Sequence, residues 1–184
     1  MSRDAFSAPS LAGGTPLREL VVLEKTEQAL ALVDLTDGAT PLALATRDGR
    51  IKRVNGPHPG KDVWDVISLM AGDVVVAGTH CADDDQIVLI ASDAQLLRFG
   101  ADAVRAQGRS GQGIAGIRLA DGAHVIALGV VPGDDVAGSY VVTISGSSDA
   151  LEGTVPGSAK VTPLDRFPAK GRGTGGVRAQ RFLR

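Results

Sequence analysis

The stretch LALATRDGRIKRV, residues 42–54, recurs 45 positions later as IVLIASDAQLLRF, residues 87–99. Each copy has an apolar run, a polar turn and a second run that ends in Arg53-Val54 or Arg98-Phe99. Two short apolar runs flanking a turn are typical of a β-hairpin. A third version with a longer tip spans residues 141–161, where Lys160 stands near the position of those arginines. The sequence therefore predicts a repeated hairpin.

Outward from the hairpins, apolar runs recur about every 8 to 12 residues, the spacing of an antiparallel all-β architecture. Apolar residues make up 43% of the 184 residues, and 24 Gly and nine Pro separate the runs. The predicted strands cover 19–24, 28–34, 41–46, 50–54, 63–69, 73–78, 86–91, 95–99, 114–119, 123–131, 139–145, 158–163 and 177–183. The last of these would begin a unit that the chain does not finish.

Two glycine-rich loops follow the second and third hairpins. GRSGQGIAGIRL, residues 108–119, and GRGTGGVRAQRF, residues 171–182, share Gly-Arg, a later Gly, a β-branched residue and a second Arg at the same offsets. We call residues 107–113 and 170–176 the first and second Gly-Arg loops. Glycine lets a backbone approach a ligand closely and arginine supplies positive charge, so a repeated blade with a basic rim is predicted.

Charge alternates along the chain although its formal net value is only −2. Residues 47–61 hold five bases and one acid, whereas residues 62–97 hold seven Asp and no base. Residues 119–159 hold five acids and no base, and residues 160–184 hold seven bases and one acid. Stacked repeats would align these blocks into a basic stripe and an acidic face, which favours nucleic-acid binding. Solvated charge that happens to cluster is the alternative.

The hairpins and loops resemble the C-terminal domain of the A subunit of bacterial type II topoisomerases, gyrase and topoisomerase IV. The gyrase box reads Gln-Arg-Arg-Gly-Gly-Lys-Gly; QGRSGQG, residues 107–113, keeps its first, third, fifth and seventh positions, and KGRGTGG, residues 170–176, its third, fourth and seventh. Residues 167–183 resemble actinobacterial members closely. The resemblance covers residues 17–184 and is weakest at residues 55–61, where the loop has no arginine.

The resemblance implies a β-pinwheel, a propeller-like ring of antiparallel blades whose basic rim wraps double-stranded DNA. A ring of five or six blades needs about 250 to 300 residues, so we expect an open arc and part of a longer protein. The expected blades are residues 17–56, 57–106 and 107–170, with 171–184 starting a fourth, after a disordered leader or truncation edge at 1–16.

The positions of the cations predict roles for particular residues, and the resemblance implies partners. The expected DNA contacts are Lys52, Arg53, Arg105, Arg109, Lys160, Lys170, Arg172 and Arg178, and Arg118 and Arg181 are expected to bridge blades. The catalytic tyrosine of the family lies in a separate domain, so this chain should be inactive alone, with no cofactor of its own; ATP and Mg²⁺ belong to other parts of the holoenzyme. The remaining expected partners are the B subunit together with the catalytic part of the A subunit.

Other functions find less support in the sequence. A propeller that binds protein through its acidic blocks is the main alternative, and an enzyme site at the blade axis is a third. The lone Cys81 and the lack of a signal or membrane-spanning run predict a cytoplasmic, nucleoid-associated protein without disulfides.

Single residues that suggest chemistry are better explained as structural. His58, His80 and His124 with Asp83–Asp85 lack metal-ligand spacing. Cys81 and His80 are adjacent in a strand and face opposite sides. The second loop lacks the Gly-Lys-Ser/Thr ending of a phosphate loop. Trp64 and Tyr140 are predicted to be packing residues.

Overall fold

The computed structural model describes residues 15–36, 38–61, 63–146 and 157–181. The chain divides into two compact units, residues 1–30 and 31–184. In the described part of the first unit, α1 (Leu17–Leu20) is a single helical turn. There the Arg18 guanidinium donates a hydrogen bond to the Leu23 carbonyl at 2.9 Å. None of the helices among the described residues has the length and apolarity needed to cross a membrane.

The second unit is built from short strands. These are β1 (Leu42–Thr46), β2 (Arg50–Val54), β3 (Val75–His80), β4 (Gln86–Ala91), β5 (Gln95–Gly100), β6 (Ile114–Ala115), β7 (Val125–Val131), β8 (Tyr140–Ser145), β9 (Ser158–Pro163) and β10 (Val177–Arg178). Short 3₁₀ turns at Ala101–Ala103 and Leu164–Arg166 follow β5 and β9.

The strands form two four-stranded antiparallel sheets and one separate hairpin. The first sheet has the order β3-β1-β2-β6, the second has β10-β5-β4-β7, and β8 pairs with β9. Each of the first two hairpins thus lies inside its sheet, where β3 or β7 pairs with its first strand and β6 or β10 pairs with its second strand. The sheets do not close into a ring. The predictions of an all-β fold, of antiparallel four-stranded blades and of an open arc are confirmed.

The two sheets repeat each other residue by residue. Leu42 pairs with His80 as Ile87 pairs with Val130, and each pairing ends in a register shift, between Ala45 and Thr46 or between Ile90 and Ala91. The turn of the first hairpin is closed by Gly49 at φ 86°, donating to the Thr46 carbonyl at 3.1 Å. Ala94 fills this left-handed position in the second hairpin at φ 63°. The predicted equivalence of the hairpins is therefore confirmed.

Three predicted strands are wrong within the described residues. Residues 19–24 contain the end of α1 and irregular chain, and residues 28–34 and 63–69 form no strand. Two others are shorter than predicted, since β6 and β10 pair over only two residues each. The predicted leader at 1–16 lies mostly outside the described residues.

The predicted blade boundaries do not match the composition of the sheets. The first sheet takes strands from residues 42–115 and the second from residues 86–178, so the two overlap in sequence. β10, which was expected to start a new blade, is the outer strand of the second sheet. Each sheet receives an outer strand from chain that lies beyond the next hairpin, and a blade is therefore not a continuous segment.

The core repeats with the hairpins. Ala43, Ala45 and Ile51 of the first hairpin belong to the same buried cluster as Ile87, Leu89, Leu97 and Phe99 of the second. Val88 and Leu96, on the other face of the second hairpin, cluster with Leu164 and Phe167, which follow the third. Each hairpin thus buries one face against the next repeat. This stacking fixes the positions of the glycine-rich loops between repeats.

Candidate nucleic-acid interface

Both Gly-Arg loops are attached to the preceding hairpin by the same backbone contacts. The first loop begins where the Gln107 amide donates to the Arg53 carbonyl at 2.8 Å, and the second where the Lys170 amide donates to the Arg98 carbonyl at 2.9 Å. Each ends in a glycine, Gly113 or Gly176, whose missing Cβ would lie 2.7 Å from a hairpin carbonyl oxygen. Glycine is needed there because any side chain would collide with that backbone.

Each loop also rests on a segment of an earlier repeat. The Ser68 amide donates to the Gly111 carbonyl of the first loop at 3.2 Å, and the Arg118 amide donates to the Thr174 carbonyl of the second at 3.0 Å. Residues 63–69, predicted as a strand, therefore play the part that residues 114–119 play one repeat later. The loops link successive repeats through backbone hydrogen bonds.

Lys52 supports the first Gly-Arg loop through hydrogen bonds to the loop backbone. Its side chain is buried, and Nζ donates to the carbonyls of Arg109 at 2.6 Å, Gly111 at 2.8 Å and Val66 at 2.9 Å. Burial lowers the pKa of the Lys52 ammonium from its usual value. All three ammonium protons are used within the protein. The repeat mate of Lys52 in the second hairpin is Leu97, which is also buried.

Arg53 and Arg98 hold the chain that leads into each loop. Arg53, which is buried, donates to the carbonyls of Ala101 at 3.0 Å and Val104 at 3.2 Å, and it forms an ion pair with the exposed Asp83. Arg98 donates to the carbonyl of Phe167 at 3.0 Å, the repeat mate of Val104. The basic residue at the end of each hairpin is therefore a structural anchor.

The burial of Lys52 and Arg53 corrects the prediction that they contact DNA. Both are 1% exposed, and their donors already satisfy carbonyl groups. Here β1 and β2 are buried on both faces, because the second hairpin covers one face and a cluster of Val33, Val66, Ile67 and Val75 packs against the other.

Arg109 and Arg172 occupy the same position in the two loops but have different surroundings. Arg172 is half-buried and donates to the carbonyls of Ala115 at 2.7 Å and Ala103 at 3.2 Å, in the preceding repeat. Arg109 is exposed, and no acceptor among the described residues receives a hydrogen bond from its side chain. Arg172 thus bridges repeats, the part expected of Arg118 and Arg181, and Arg109 faces solvent.

A further basic feature is a groove beside β10. Its cavity has a volume of about 860 Å³ and is lined by Lys160, Arg178 and Arg181 together with Gln95, Ser158, Gln180 and backbone of residues 176–179. None of the described residues that line it is acidic. Lys160 Nζ donates to the Ala179 carbonyl at 2.8 Å, which places this ammonium at the wall. We refer to this feature as the basic groove.

The remaining predicted cations lie in mixed surroundings. Arg105 is exposed and lines a cavity of about 580 Å³ that also contains Asp83 and Asp102, so its charge is partly offset. Lys170 is exposed and donates to the Gly175 carbonyl at 2.6 Å, which closes the second loop on itself. Arg118 is exposed at the second loop, with a guanidinium nitrogen 3.7 Å from where a Cβ of Gly175 would stand.

Gln180 anchors the groove and was missed by the sequence reasoning. It is 7% exposed, and its amide nitrogen donates to Ser145 Oγ and Ser158 Oγ, both at 2.8 Å. Its repeat mate, Ile117, is also buried. The sequence holds no signal for this role, because the same position is apolar in one copy and polar in the other.

The remaining side chains that could be reactive or bind a metal are explained by their structural surroundings. Cys81 is buried, and burial raises the pKa of its thiol to about 11, which opposes a nucleophilic role. Both ring nitrogens of His80 are used, since Nε2 accepts from the Asp34 amide and Nδ1 donates to the Thr40 carbonyl. The described residues contain no group of three His, Cys, Asp or Glu that could hold a metal ion. Tyr140 is 63% exposed, so its predicted packing role is wrong within this chain.

Known families match this chain in sequence. A family model described as the DNA gyrase C-terminal domain, beta-propeller, matches residues 85–132 and 157–182. The A subunit of DNA gyrase from Deinococcus deserti is 33% identical over 174 residues, which cover 90% of this chain and 20% of that protein. The A subunit of DNA gyrase from Mycobacterium tuberculosis is 30% identical over 184 residues, which cover 95% of this chain and 20% of that protein. The chain spans about a fifth of the length of these relatives.

Solved structures match the fold. The C-terminal domain of DNA topoisomerase IV superposes with a TM-score of 0.74 at 20% identity, covering 92% of this chain and 51% of that one. The DNA gyrase A C-terminal domain gives a TM-score of 0.66 at 22% identity, covering 89% and 52%. These two similarities concern the fold. Together with the sequence matches, they confirm the resemblance inferred from the hairpins and loops.

Proposed function

Because this chain is homologous to the C-terminal domain of the A subunit of bacterial type II DNA topoisomerases, we propose that it binds, bends and wraps double-stranded DNA. The observation that carries the proposal is the basic groove, where Lys160, Arg178 and Arg181 line one cavity to which the described residues contribute no acidic side chain. Three cations at one groove attract the phosphates of a duplex and release its counterions. The chain itself supplies binding and no bond cleavage.

Arg109 extends this surface to the first Gly-Arg loop. Its guanidinium faces solvent on a loop whose backbone is held from below by Lys52, so the cation is presented by a rigid support. A positioned arginine loses less freedom on binding phosphate than one on a mobile loop. We assign phosphate contact to Arg109, Lys160, Arg178 and Arg181, with Lys170 and Arg105 as weaker contributors.

Contacts between these cations and phosphates recognise the charge and the shape of a DNA duplex. Arginine and lysine bonds to phosphate fix the position of a duplex and carry no base information. Among the described residues the tryptophan is half-buried and Tyr140 is the one largely exposed aromatic side chain, so they offer no row of aromatic rings for stacking successive bases. Sequence preference should therefore arise from how easily the DNA bends.

The wider assignment follows from the same homology. We propose that the chain acts beside a B subunit, together with the catalytic part of an A subunit, in the cytoplasm on the nucleoid. ATP and Mg²⁺ would then act elsewhere in the holoenzyme, and this chain would guide the duplex on which the enzyme acts.

A salt titration of DNA affinity tests the proposal. We expect the binding of a labelled duplex, measured by fluorescence anisotropy, to weaken with a log–log slope of roughly −4 to −7 in salt, as for about four to eight neutralised phosphates. The double variant Arg109→Glu/Arg178→Glu should lose at least about tenfold in affinity and flatten the slope, with an unchanged melting temperature.

The matched control reverses two exposed cations outside the groove and both loops, Lys25→Glu/Lys61→Glu. It changes net charge by the same amount, so its affinity should fall much less. Equal losses in both double variants would show that net charge alone matters and would reject the assigned surface. A slope near zero for the unmodified chain would favour the alternative of a protein-binding propeller.

A further inference from the structure

A cavity between the first two repeats is lined by charged side chains that mostly lie apart from the proposed DNA surface. Its volume is about 580 Å³, and it is lined by Pro41, Arg53, Asn55, Asp83, Asp102, Arg105 and Ala106. Residues 41, 53 and 55 come from the first hairpin and the chain on either side of it, and the others come from the second repeat. Both walls lie within the described residues, so they do not depend on a further repeat. We call this cavity the junction pocket.

Backbone hydrogen bonds hold the walls of the junction pocket in place. The Ala101 amide donates to the Asp85 carbonyl at 2.9 Å, and the Gln107 amide donates to the Arg53 carbonyl at 2.8 Å. These bonds fix residues 101–107 against the first hairpin and against the chain before β4. A site whose walls are already positioned loses less conformational freedom when it binds a ligand.

The junction pocket offers both hydrogen-bond acceptors and donors. Asp83 is paired with Arg53, yet the Asp83 side chain is 88% exposed. That is the one ion pair among the described residues, so Asp102 and Arg105 stand at the same cavity without an ionic partner there. Arg53 is 1% exposed, and its buried Nε has no acceptor among the described residues. A buried donor on a residue that lines a cavity favours a ligand that brings an acceptor.

The next repeat does not copy the junction pocket, although it copies the backbone around it. Asn55 corresponds to Gly100 in the register of the hairpins. Arg105 corresponds to Pro168, because the Gln107 and Lys170 amides make equivalent bonds after the 3₁₀ turns. Two polar side chains of the pocket are therefore absent where the same backbone recurs. The fold does not require them, which favours a role in binding.

The charges around the junction pocket favour a ligand with a cationic group. Four acids, Asp83–Asp85 and Asp102, lie at the pocket or directly beside it, against Arg53 and Arg105. Since the Arg53 charge is already paired with Asp83, the surroundings attract an ammonium or guanidinium group. The donors of the pocket also require an acceptor beside that cation.

Few classes of ligand carry both groups. A polyamine or a metal ion brings no acceptor, and an inorganic anion brings no cation. A peptide segment with a Lys or Arg side chain brings both, because its backbone carbonyls accept hydrogen bonds. A volume of about 580 Å³ lies within the range of pockets that take ligands much larger than one side chain.

We propose that the junction pocket binds a basic segment of a protein partner. The Lys or Arg side chain of the segment pairs with Asp83 and Asp102, and its backbone carbonyls accept hydrogen bonds from Arg105 and Asn55. The junction pocket and the basic groove share no lining residue, so the partner and the groove-bound DNA occupy different sites. This proposal goes beyond DNA binding and does not depend on it.

An NMR titration of the full 184-residue chain tests the proposal. The probe is the peptide Ala-Arg-Ala-Lys-Ala, whose acetylated and amidated ends carry no charge. We expect saturable shifts of the backbone amide signals of residues 53–55, 82–85 and 101–106. Shifts confined to other residues, or no shift at millimolar peptide, would overturn the proposal.

Charge-matched variants locate the binding energy. Asp83→Asn/Asp102→Asn should weaken peptide binding by at least about threefold, because two charge-assisted contacts are lost. The control, Asp121→Asn/Asp134→Asn, removes the same charge at exposed positions outside the pocket. It should leave the affinity nearly unchanged at about 0.15 M salt, where charges beyond about 8 Å are screened. Equal losses in both double variants would reject the junction pocket.

Further arms keep the test decisive. If loss of the Asp83 ion pair prevents folding, Asp102→Asn alone should still weaken the peptide about twofold. Spermidine and N-acetyl-arginine amide should bind more weakly than the peptide, and equal binding of either would overturn the assignment to a polypeptide segment. The DNA affinity of folded Asp83→Asn/Asp102→Asn should not fall, which separates failure here from failure of the proposed function.

Discussion

The arginines near the ends of the first two hairpins are structural because of where their acceptors lie. A buried guanidinium is stable only if its N–H groups are bonded. Arg53 meets this condition at both terminal nitrogens, which bond three backbone carbonyls and Asp83, whereas its buried Nε has no partner among the described residues. Arg98 uses the Phe167 carbonyl and the Gln86 side chain, and it is only half-buried. The deeper arginine should therefore matter more for stability.

We expect Arg53→Met to lower the free energy of unfolding by about 3 kcal/mol, since several carbonyls lose their donor. Arg98→Met, with fewer bonds and more solvent, should cost about 1 kcal/mol. Urea denaturation measures both. DNA affinity of the folded Arg53→Met protein should equal that of wild type; a stable variant with impaired DNA binding would restore Arg53 as a contact residue.

Cys81 should give the stability a pH dependence in the alkaline range. Burial raises the pKa of its thiol in the folded state to about 11, above the unfolded value of 9.0. The unfolded chain therefore releases the thiol proton first, and the contribution of Cys81 is present below pH 9.0 and declines towards about pH 11. Comparing wild type with Cys81→Ala at both ends of this range should show an excess loss on the order of 1 kcal/mol in wild type. Parallel pH profiles would contradict this.

At the scale of elements, the Gly-Arg loops are defined by close backbone approach. Gly113 adopts φ 71°, and a Cβ on it would lie 2.7 Å from the Ile51 carbonyl oxygen. Gly122, in the turn before β7, adopts nearly the same φ of 75° but has open space around it. Substituting the two glycines therefore separates the destabilisation caused by a left-handed backbone from the destabilisation caused by a steric clash.

Gly113→Ala should destabilise the protein by at least about 2 kcal/mol, and Gly122→Ala by about 1 kcal/mol, because both are strained and only the first also collides with the backbone. Thermal unfolding of the two variants measures the difference. Gly113→Ala should also weaken DNA binding, since a displaced loop moves Arg109. Equal destabilisation would mean that the loop adjusts freely around the new methyl group.

The sequence predicts those elements that carry their own pairing partner. Residues 42–54 and 87–99 form hairpins because both strands and the turn are local, so apolar runs and turn residues suffice to identify them. Residues 28–34 and 63–69 have similar runs but form no strand, because pairing for them depends on which distant edge is free. Burial likewise determines which cations can contact DNA. The sequence around Lys52 and Arg53 does not reveal that both faces of β2 are covered.

At the scale of the whole second unit, the two sheets are interlocked. The chain passes from β3 in the first sheet to β4 and β5 in the second, returns to β6 in the first, and then enters β7 in the second. Backbone bonds reinforce this crossing, as where the Val125 amide donates to the Arg47 carbonyl at 2.8 Å. Unfolding of either sheet would therefore remove buried apolar contacts and backbone bonds from the other.

We therefore expect residues 31–184 to unfold in one cooperative transition. Trp64 is the only tryptophan and lies near the first loop, so its fluorescence reports on the first sheet, whereas far-UV circular dichroism reports on all strands. The two urea transitions should coincide in midpoint and slope. A tryptophan transition that precedes the loss of β structure would show that the first sheet opens independently.

The crossing of the chain between sheets also sets an order on biosynthesis. The hairpin of the first sheet ends at Val54, but the strand that covers its second edge begins only at Ile114. At about 5 to 20 residues per second, a ribosome needs roughly 3 to 12 seconds to add that stretch. During this interval the nascent chain holds β2 with one edge unpaired, and the second sheet waits in turn for Val177. A chaperone that shields strand edges would find its substrate in this window, on a polypeptide still attached to the ribosome.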